Sequence, residues 1–323
     1  MAATDTTATG TAPPVGTSED LQAALSRVDP VRKRKDRAMR LVVYLAFTLA
    51  MVPLVSLVWS VLSRGSGRLD AYFLLHSMRN VFGGMDAGGA YHAILGTLLV
   101  TGWAALISVP IGLMVAVYLV EYGTGKLARA VTFLVDVMTG IPSIVAGLFA
   151  FALFYLAVGP QKAGIIGSVA LAVLMTPVVV RSSEEMLRLV PNELREASYA
   201  LGVPKWLTII KVVLRTAVAG LTTGVMIAVA RVIGETAPLI ITVGMTASIN
   251  RDVFHENMMT LPVFVYDQYG RGLTSCAPGA VDCVPTINFD RAWAAALTLI
   301  IIVMLLNLVA RAVSRWFAPK VRG

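Results

Sequence analysis

The sequence predicts an all-α polytopic membrane protein with six transmembrane helices and one further helix outside the bilayer. Two observations carry this. Hydrophobic residues make up 57% of the chain and charged residues only 14%, where a soluble globular protein has about a quarter charged. The mean hydropathy of +0.75 agrees. The apolar residues also form continuous runs near the ~20 residues that cross a bilayer, not the ten-residue alternation of a membrane barrel. A soluble protein with very apolar core helices would need shorter, amphipathic segments.

The elements follow in order. Residues 1–30 are rich in Thr, Ala, Pro and Ser and have little apolar surface to bury, so disorder is expected there. No apolar region follows at the distance a signal peptide requires. The basic cluster RKRKDRAMR, 32–40, completes an N-terminal tail of 1–40. A first transmembrane helix covers 41–62, and further spans lie at about 93–120, 131–158, 164–180, 217–245 and 292–312. The connecting segments 121–130 and 181–216 and both tails, 1–40 and 313–323, hold most of the Lys and Arg, against few in 63–92 and 246–291. Basic loops stay inside, so both termini are expected in the cytoplasm, with 63–92 and 246–291 as outer loops. The net charge of +8 is then explained by topology and anionic headgroups, and nucleic acid loses its support.

The outer loop 246–291 contains CAPGAVDC, with Cys276 and Cys283 seven apart. A disulfide is permitted outside the cytoplasm. Free thiols are the alternative, and a metal site would need further ligands. The three histidines, His76, His92 and His255, are scattered.

The loop 181–216 is too long for a simple connection. Pro191 and Asn192 start a helix, with acidic residues in its first turn, and Gly202 stops it. Val203 and Pro204 turn the chain, and KWLTIIKVVLR begins a second helix with Leu207, Ile210 and Leu214 at helical spacing. From physics alone this is either an amphipathic connector or a docking element, with neither preferred.

The run REASYALGVPKWLTIIKVVLR resembles the EAA signature of ATP-binding-cassette importer permeases, with Glu196, Ala197 and Gly202 at its Glu, Ala and Gly positions. Ser198 stands where Ala is common, and Leu201 precedes the Gly. The resemblance implies that these residues dock on a cytoplasmic ATPase and pass its closure to the membrane helices. The nearest approach to a phosphate-binding loop, GTGKL at 123–127, lacks the Gly five residues before its GK pair and the Ser/Thr after it. The motor is therefore expected on another polypeptide.

Four blocks sharpen the resemblance: GIPSIVAGLFAF, TPVVVRSSEEMLRLVPNELREASYALG, ARVIGETAPLIITVG and AWAAALTLIIIVMLLNLVARAV. Together they resemble the permease family of phosphate importers, the PstA type, over roughly 90–312. This implies a type I importer bundle at 93–312 with a coupling helix, in a bacterial cell membrane. It implies a transport subunit rather than an enzyme, without a cofactor of its own; ATP and Mg would sit on the partner ATPase. Implied partners are phosphate, a homologous PstC-type permease, a PstB-type ATPase dimer and an extracytoplasmic PstS-type phosphate-binding protein. Another oxyanion, such as molybdate, sulfate or phosphonate, is the alternative substrate. A self-sufficient channel or secondary transporter would need no ATPase dock.

The charges inside the spans are the candidate pathway. Arg231 lies near the middle of the fifth span, where a charge costs about 2.5–3.5 kcal/mol on insertion scales. Glu235 is one helical turn on, and an Arg-to-Glu pair of that order is worth only tenths of a kcal/mol on an isolated helix. A structural pair would not offset two such charges, so an anion contact at Arg231, held by Glu235, is the preferred reading. The planar guanidinium fork suits phosphate oxygens. Arg181 at the inner mouth reads by position as a positive-inside anchor, and the resemblance implies a second contact there, since phosphate permeases also carry Arg at that position. Asp136, Thr139 and Ser143 could line the path, or pair with an Arg and bond back to their own helix. Pro142, Pro177, Gly234 and Pro238 mark expected kinks: Pro238 would free the Gly234 carbonyl and Pro142 that of Met138. Such freed groups are tolerated where protein or water meets them; packing distortion is the plainer reading.

Overall fold

The computed structural model describes residues 30–276 and 283–317. The expected tails fall outside the described residues up to 29 and from 318. Twelve α-helices occur among the described residues: α1 Pro30–Gly65, α2 Ala71–Leu75, α3 Tyr91–Val117, α4 Gly125–Thr139, α5 Ser143–Val158 and α6 Gly164–Arg188. They continue with α7 Asn192–Ala200, α8 Lys205–Thr208, α9 Leu214–Val232, α10 Ala237–Thr242, α11 Leu261–Arg271 and α12 Ile287–Phe317. π-helical turns extend α3 through Tyr118–Tyr122 and join α8 to α9 through Ile209–Val213. Five helical stretches are long and apolar enough to cross a membrane, and α4 with α5 make a sixth crossing only as a pair bent by 107°.

The chain divides into compact units at 1–59 and 60–323. In the first, α1 starts at Pro30, a residue suited to the first helical position, where its missing N–H is no loss. The basic cluster 32–40 is thus helical rather than part of a disordered tail, and Arg40 pairs with Asp36 one turn away at 2.8 Å.

In the second unit, α3 and α6 form the central pair. Gly96, Val100, Ala104, Ser108, Gly112 and Ala116 recur every four residues on the buried face of α3. Without a hydrophobic drive between helices in lipid, small residues that let backbones approach supply the contact. Leu171, Met175 and Val179 of α6 are fully buried in the same cluster. α9 packs along α6, and α12 along α9 and α11. The end of α1 joins here too: Arg64 lies over the Trp293 ring of α12, 5.2 Å from its centroid.

Four expectations need correction. The span 131–158 is not one helix, because it stops at Thr139 and restarts at Ser143. The span 217–245 likewise ends at Val232 and restarts at Ala237. The fourth span runs on to Arg188, and the fifth begins at Lys205, so the irregular connection within 181–216 is only 189–204, with α7 inside it. Helices that outrun the bilayer become polar while staying helical, and hydropathy cannot follow them. The segment 246–291 holds α11, whose Leu261, Val263 and Phe264 are fully buried.

Candidate membrane pathway and docking helix

The first break follows from Pro142. The residue before a proline avoids the helical region, so α4 cannot run through Ile141. Pro142 is extended, at φ −58° and ψ 134°, and caps α5. The Met138 carbonyl is not freed as expected, since the Ile141 N–H donates to it at 3.4 Å. Thr139 donates back to the Asp136 carbonyl at 2.6 Å, and Ser143 is the half-buried first residue of α5.

The second break lies at 233–236. Ile233 N–H still reaches Val229 at 3.0 Å, and Glu235 N–H closes a tighter turn on Val232 at 3.1 Å. Pro238 falls in the first turn of α10, where it starts a helix instead of kinking one. Pro177, by contrast, sits within the continuous α6. Arg231 is exposed in the last turn of α9, while Glu235 is half-buried beyond the helix end, with Gly234 between. The expected common helical face therefore does not exist. The ion pairs among the described residues belong to other side chains.

The two breaks meet. α10 packs on α5 so closely that a Cβ on Gly147 would stand 2.7 Å from the Pro238 Cα. On its other side, a Cβ on Gly167 of α6 would stand 2.3 Å from Val243. The blocks GIPSIVAG and GETAPL, far apart in sequence, form one joint.

Arg181 lies inside α6, not at its end. It pairs with Asp136 of α4 and with Glu184 at 2.8 Å, and Glu184 also accepts from Arg188 at 2.8 Å. Asp136 is thus paired with Arg181. Glu184 is 8% exposed and was not singled out in the sequence, although Arg181, Glu184 and Arg188 carry the three-and-four spacing of helical ion pairs. A cavity of about 340 Å³ opens beside this cluster, lined by Arg129, Thr132, Asp136, Glu184 and Arg188 among others.

α7 presents one face and buries the other. Ser198 is its buried residue, and its hydroxyl meets that of Thr208 at 2.8 Å. That bond accounts for Ser where Ala is common. Leu194, Glu196, Ala197 and Tyr199 are exposed, and Leu201 is 84% exposed. The helix ends in a Schellman pair: Gly202 N–H to Tyr199 at 2.9 Å and Val203 N–H to Ser198 at 3.2 Å, with Gly202 at φ +76°. At the opposite end of the bundle, Cys276 and Cys283 are joined by a disulfide, with Cα atoms 5.8 Å apart. The intervening 277–282 lie outside the described residues.

Arg291 closes the segment 246–291 and carries no motif that marks it in sequence. It is 1% exposed and donates to the carbonyls of Met85 and Ala87, both at 2.7 Å. Arg68 donates to Ala87 too, at 3.1 Å, so two guanidinium groups hold the loop 85–87.

Residues 108–323 match the family model described as "Binding-protein-dependent transport system inner membrane component". The chain is 48% identical over 292 residues to "Phosphate transport system permease protein PstA 1" of Mycobacterium tuberculosis (strain CDC 1551 / Oshkosh), covering 90% of this chain and 92% of that one. It is 46% identical over 290 residues to "Phosphate transport system permease protein PstA" of Mycobacterium leprae (strain TN), covering 89% and 91%. Among solved structures, the MetNI methionine ABC transporter in an inward-facing form superposes with a TM-score of 0.56 at 22% identity, over 71% of this chain and 96% of that one. A bacterial alginate ABC transporter superposes with a TM-score of 0.58 at 14% identity, over 87% and 95%. These two likenesses establish the fold.

Proposed function

Because the chain belongs to the family of binding-protein-dependent transport system inner membrane components, we propose that it is the permease subunit of an ATP-driven importer of inorganic phosphate. The observation that carries the substrate is its similarity, along nearly its whole length, to permeases named for phosphate transport. The chain supplies half of a pathway completed by a homologous second permease. An ATPase dimer, holding ATP and Mg, docks on the exposed face of α7 around Glu196, Ala197 and Leu201. A phosphate-binding protein delivers substrate at the far side. The Lys and Arg distribution supports both termini and α7 in the cytoplasm.

In this reading Arg231 contacts the anion. Its exposure in the single chain suits a surface that faces a second permease, and its fork can donate to two phosphate oxygens. Glu235, just past the helix end, limits anion retention by repulsion, since a conducting site must also release. Arg181 is held between Asp136 and Glu184, which keeps it oriented at the inner mouth. The joint of α5 with α10 and the breaks at 140–142 and 233–236 supply the bending points.

Purifying the chain from its native membrane in mild detergent tests the assembly. A stoichiometric ATPase and a second permease of the same family are the expected companions. A chain that purifies alone and conducts phosphate without ATP would remove the importer reading.

A further inference from the structure

Three helix ends meet beside α7. The small-residue stripe of α3 ends at Ala116, which joins Leu187, Val190, Val213, Ala217 and Leu221 in an apolar cluster. That cluster ties the ends of α3 and α6 to the start of α9. α7 is covalently attached to α6 and, through 201–204, to α8, but not to α3. Its link to α3 is made by one guanidinium. Arg195 donates to a single Glu121 carboxylate oxygen from Nε at 3.1 Å and Nη2 at 2.9 Å. The same group donates to the carbonyls of Val190 at 2.6 Å and Leu187 at 3.1 Å, and to Asn192 Oδ1 at 3.2 Å. The side chains of Arg195 and Glu121 are only 12% and 5% exposed. Lys205 closes the ring from the other side: its ammonium bonds the Glu121 carbonyl and lies 4.6 Å from the centroid of the Tyr122 ring. Both π-helical turns stand here, one carrying Glu121 and Tyr122 and the other following Lys205.

We propose that Glu121, with Arg195 and Lys205, is a transmission latch that makes α7 one rigid body with the ends of α3, α6 and α9. The inference rests on the importer reading above. A push on α7 by the ATPase then moves three helices together rather than tilting a short helix on its two chain connections. Removing either partner of a buried ion pair strands a charge, so the latch resists opening while the membrane helices rearrange. Glu121 is a positioning residue, since it touches neither the transported anion nor nucleotide.

The test uses the complete complex in proteoliposomes, reading phosphate imported per ATP hydrolysed. Glu121→Ala is expected to lower that ratio roughly fivefold or more, the lower range of a typical coupling energy, while ATP hydrolysis persists. Lys205→Met lowers it less. Arg195→Ala lowers it at least as far as Glu121→Ala, because it also releases the Val190 and Leu187 carbonyls. If Glu121→Ala prevents assembly, the isosteric Glu121→Gln decides by the same ratio. An unchanged ratio overturns the latch, including the case where uptake and hydrolysis fall together. Failure of the substrate reading is distinct: the wild-type complex would then import another oxyanion, and the ratio is taken for that ion.

Discussion

At the scale of single residues, the chain separates enclosed guanidinium groups from an exposed one. Arg181 and Arg195 are enclosed by carboxylates and carbonyls, and Arg291 by carbonyls alone. Arg231 is exposed in the last turn of α9 and carries no ion pair among the described residues. A charge-assisted hydrogen bond is worth about 1.5–3 kcal/mol, so Arg231→Ala should lower phosphate uptake roughly ten- to a hundredfold with ATP hydrolysis intact. Initial uptake rates in proteoliposomes check this. Arg291 should behave oppositely. Arg291→Met removes the charged donor from the Met85 and Ala87 carbonyls, which keep the Ala87 N–H and Arg68 respectively, and is expected to cost about 1.5–3 kcal/mol of stability, read as earlier thermal unfolding of the purified chain, with the transport rate per folded molecule unchanged. Neither arginine's role is written in its neighbours, Glu235 four residues after Arg231 and Asp290 directly before Arg291. Their difference lies in backbone carbonyls two hundred residues away, which no local pattern reports.

At the scale of elements, the apolar runs made the spans legible, because bilayer thickness fixes a length and lipid fixes a composition. Pro142 and Pro238 lie at the two interruptions, whereas Pro177 sits in a continuous helix. The form of the interruptions was not legible. A proline in a hydrophobic run predicts a bend, but whether the chain kinks or stops and restarts depends on what fills the gap. Here α10 is wedged between α5 and α6 at Gly147 and Gly167, a contact between distant segments. The common face expected for Arg231 and Glu235 failed for the same reason. The helix of the docking loop was legible from Pro191 to Gly202, since caps are local chemistry. Gly202→Ala tests that local logic. At φ +76° a Cβ costs roughly 1–2 kcal/mol, so the variant should fray α7. Faster amide hydrogen exchange at Gly202 and Val203, together with a weaker hold on the ATPase, is the expected outcome.

At the scale of the whole molecule, composition alone gave a membrane bundle, and the motif blocks gave the family. The structure adds an exposed arginine at a helix end, a joint between two broken helices and a short exposed helix tied to three helix ends. None of these chooses phosphate over another tetrahedral oxyanion, because Arg donates to any of them. The decisive measurement is therefore uptake of labelled phosphate by the reconstituted complex of this chain with its companion permease, ATPase and binding protein, against unlabelled competitors. The account predicts ATP-dependent uptake that excess phosphate abolishes and that equal excesses of sulfate, molybdate or phosphonate leave nearly unchanged. Uptake suppressed more strongly by one of those oxyanions than by phosphate, or proceeding at the same rate without ATP, would contradict it.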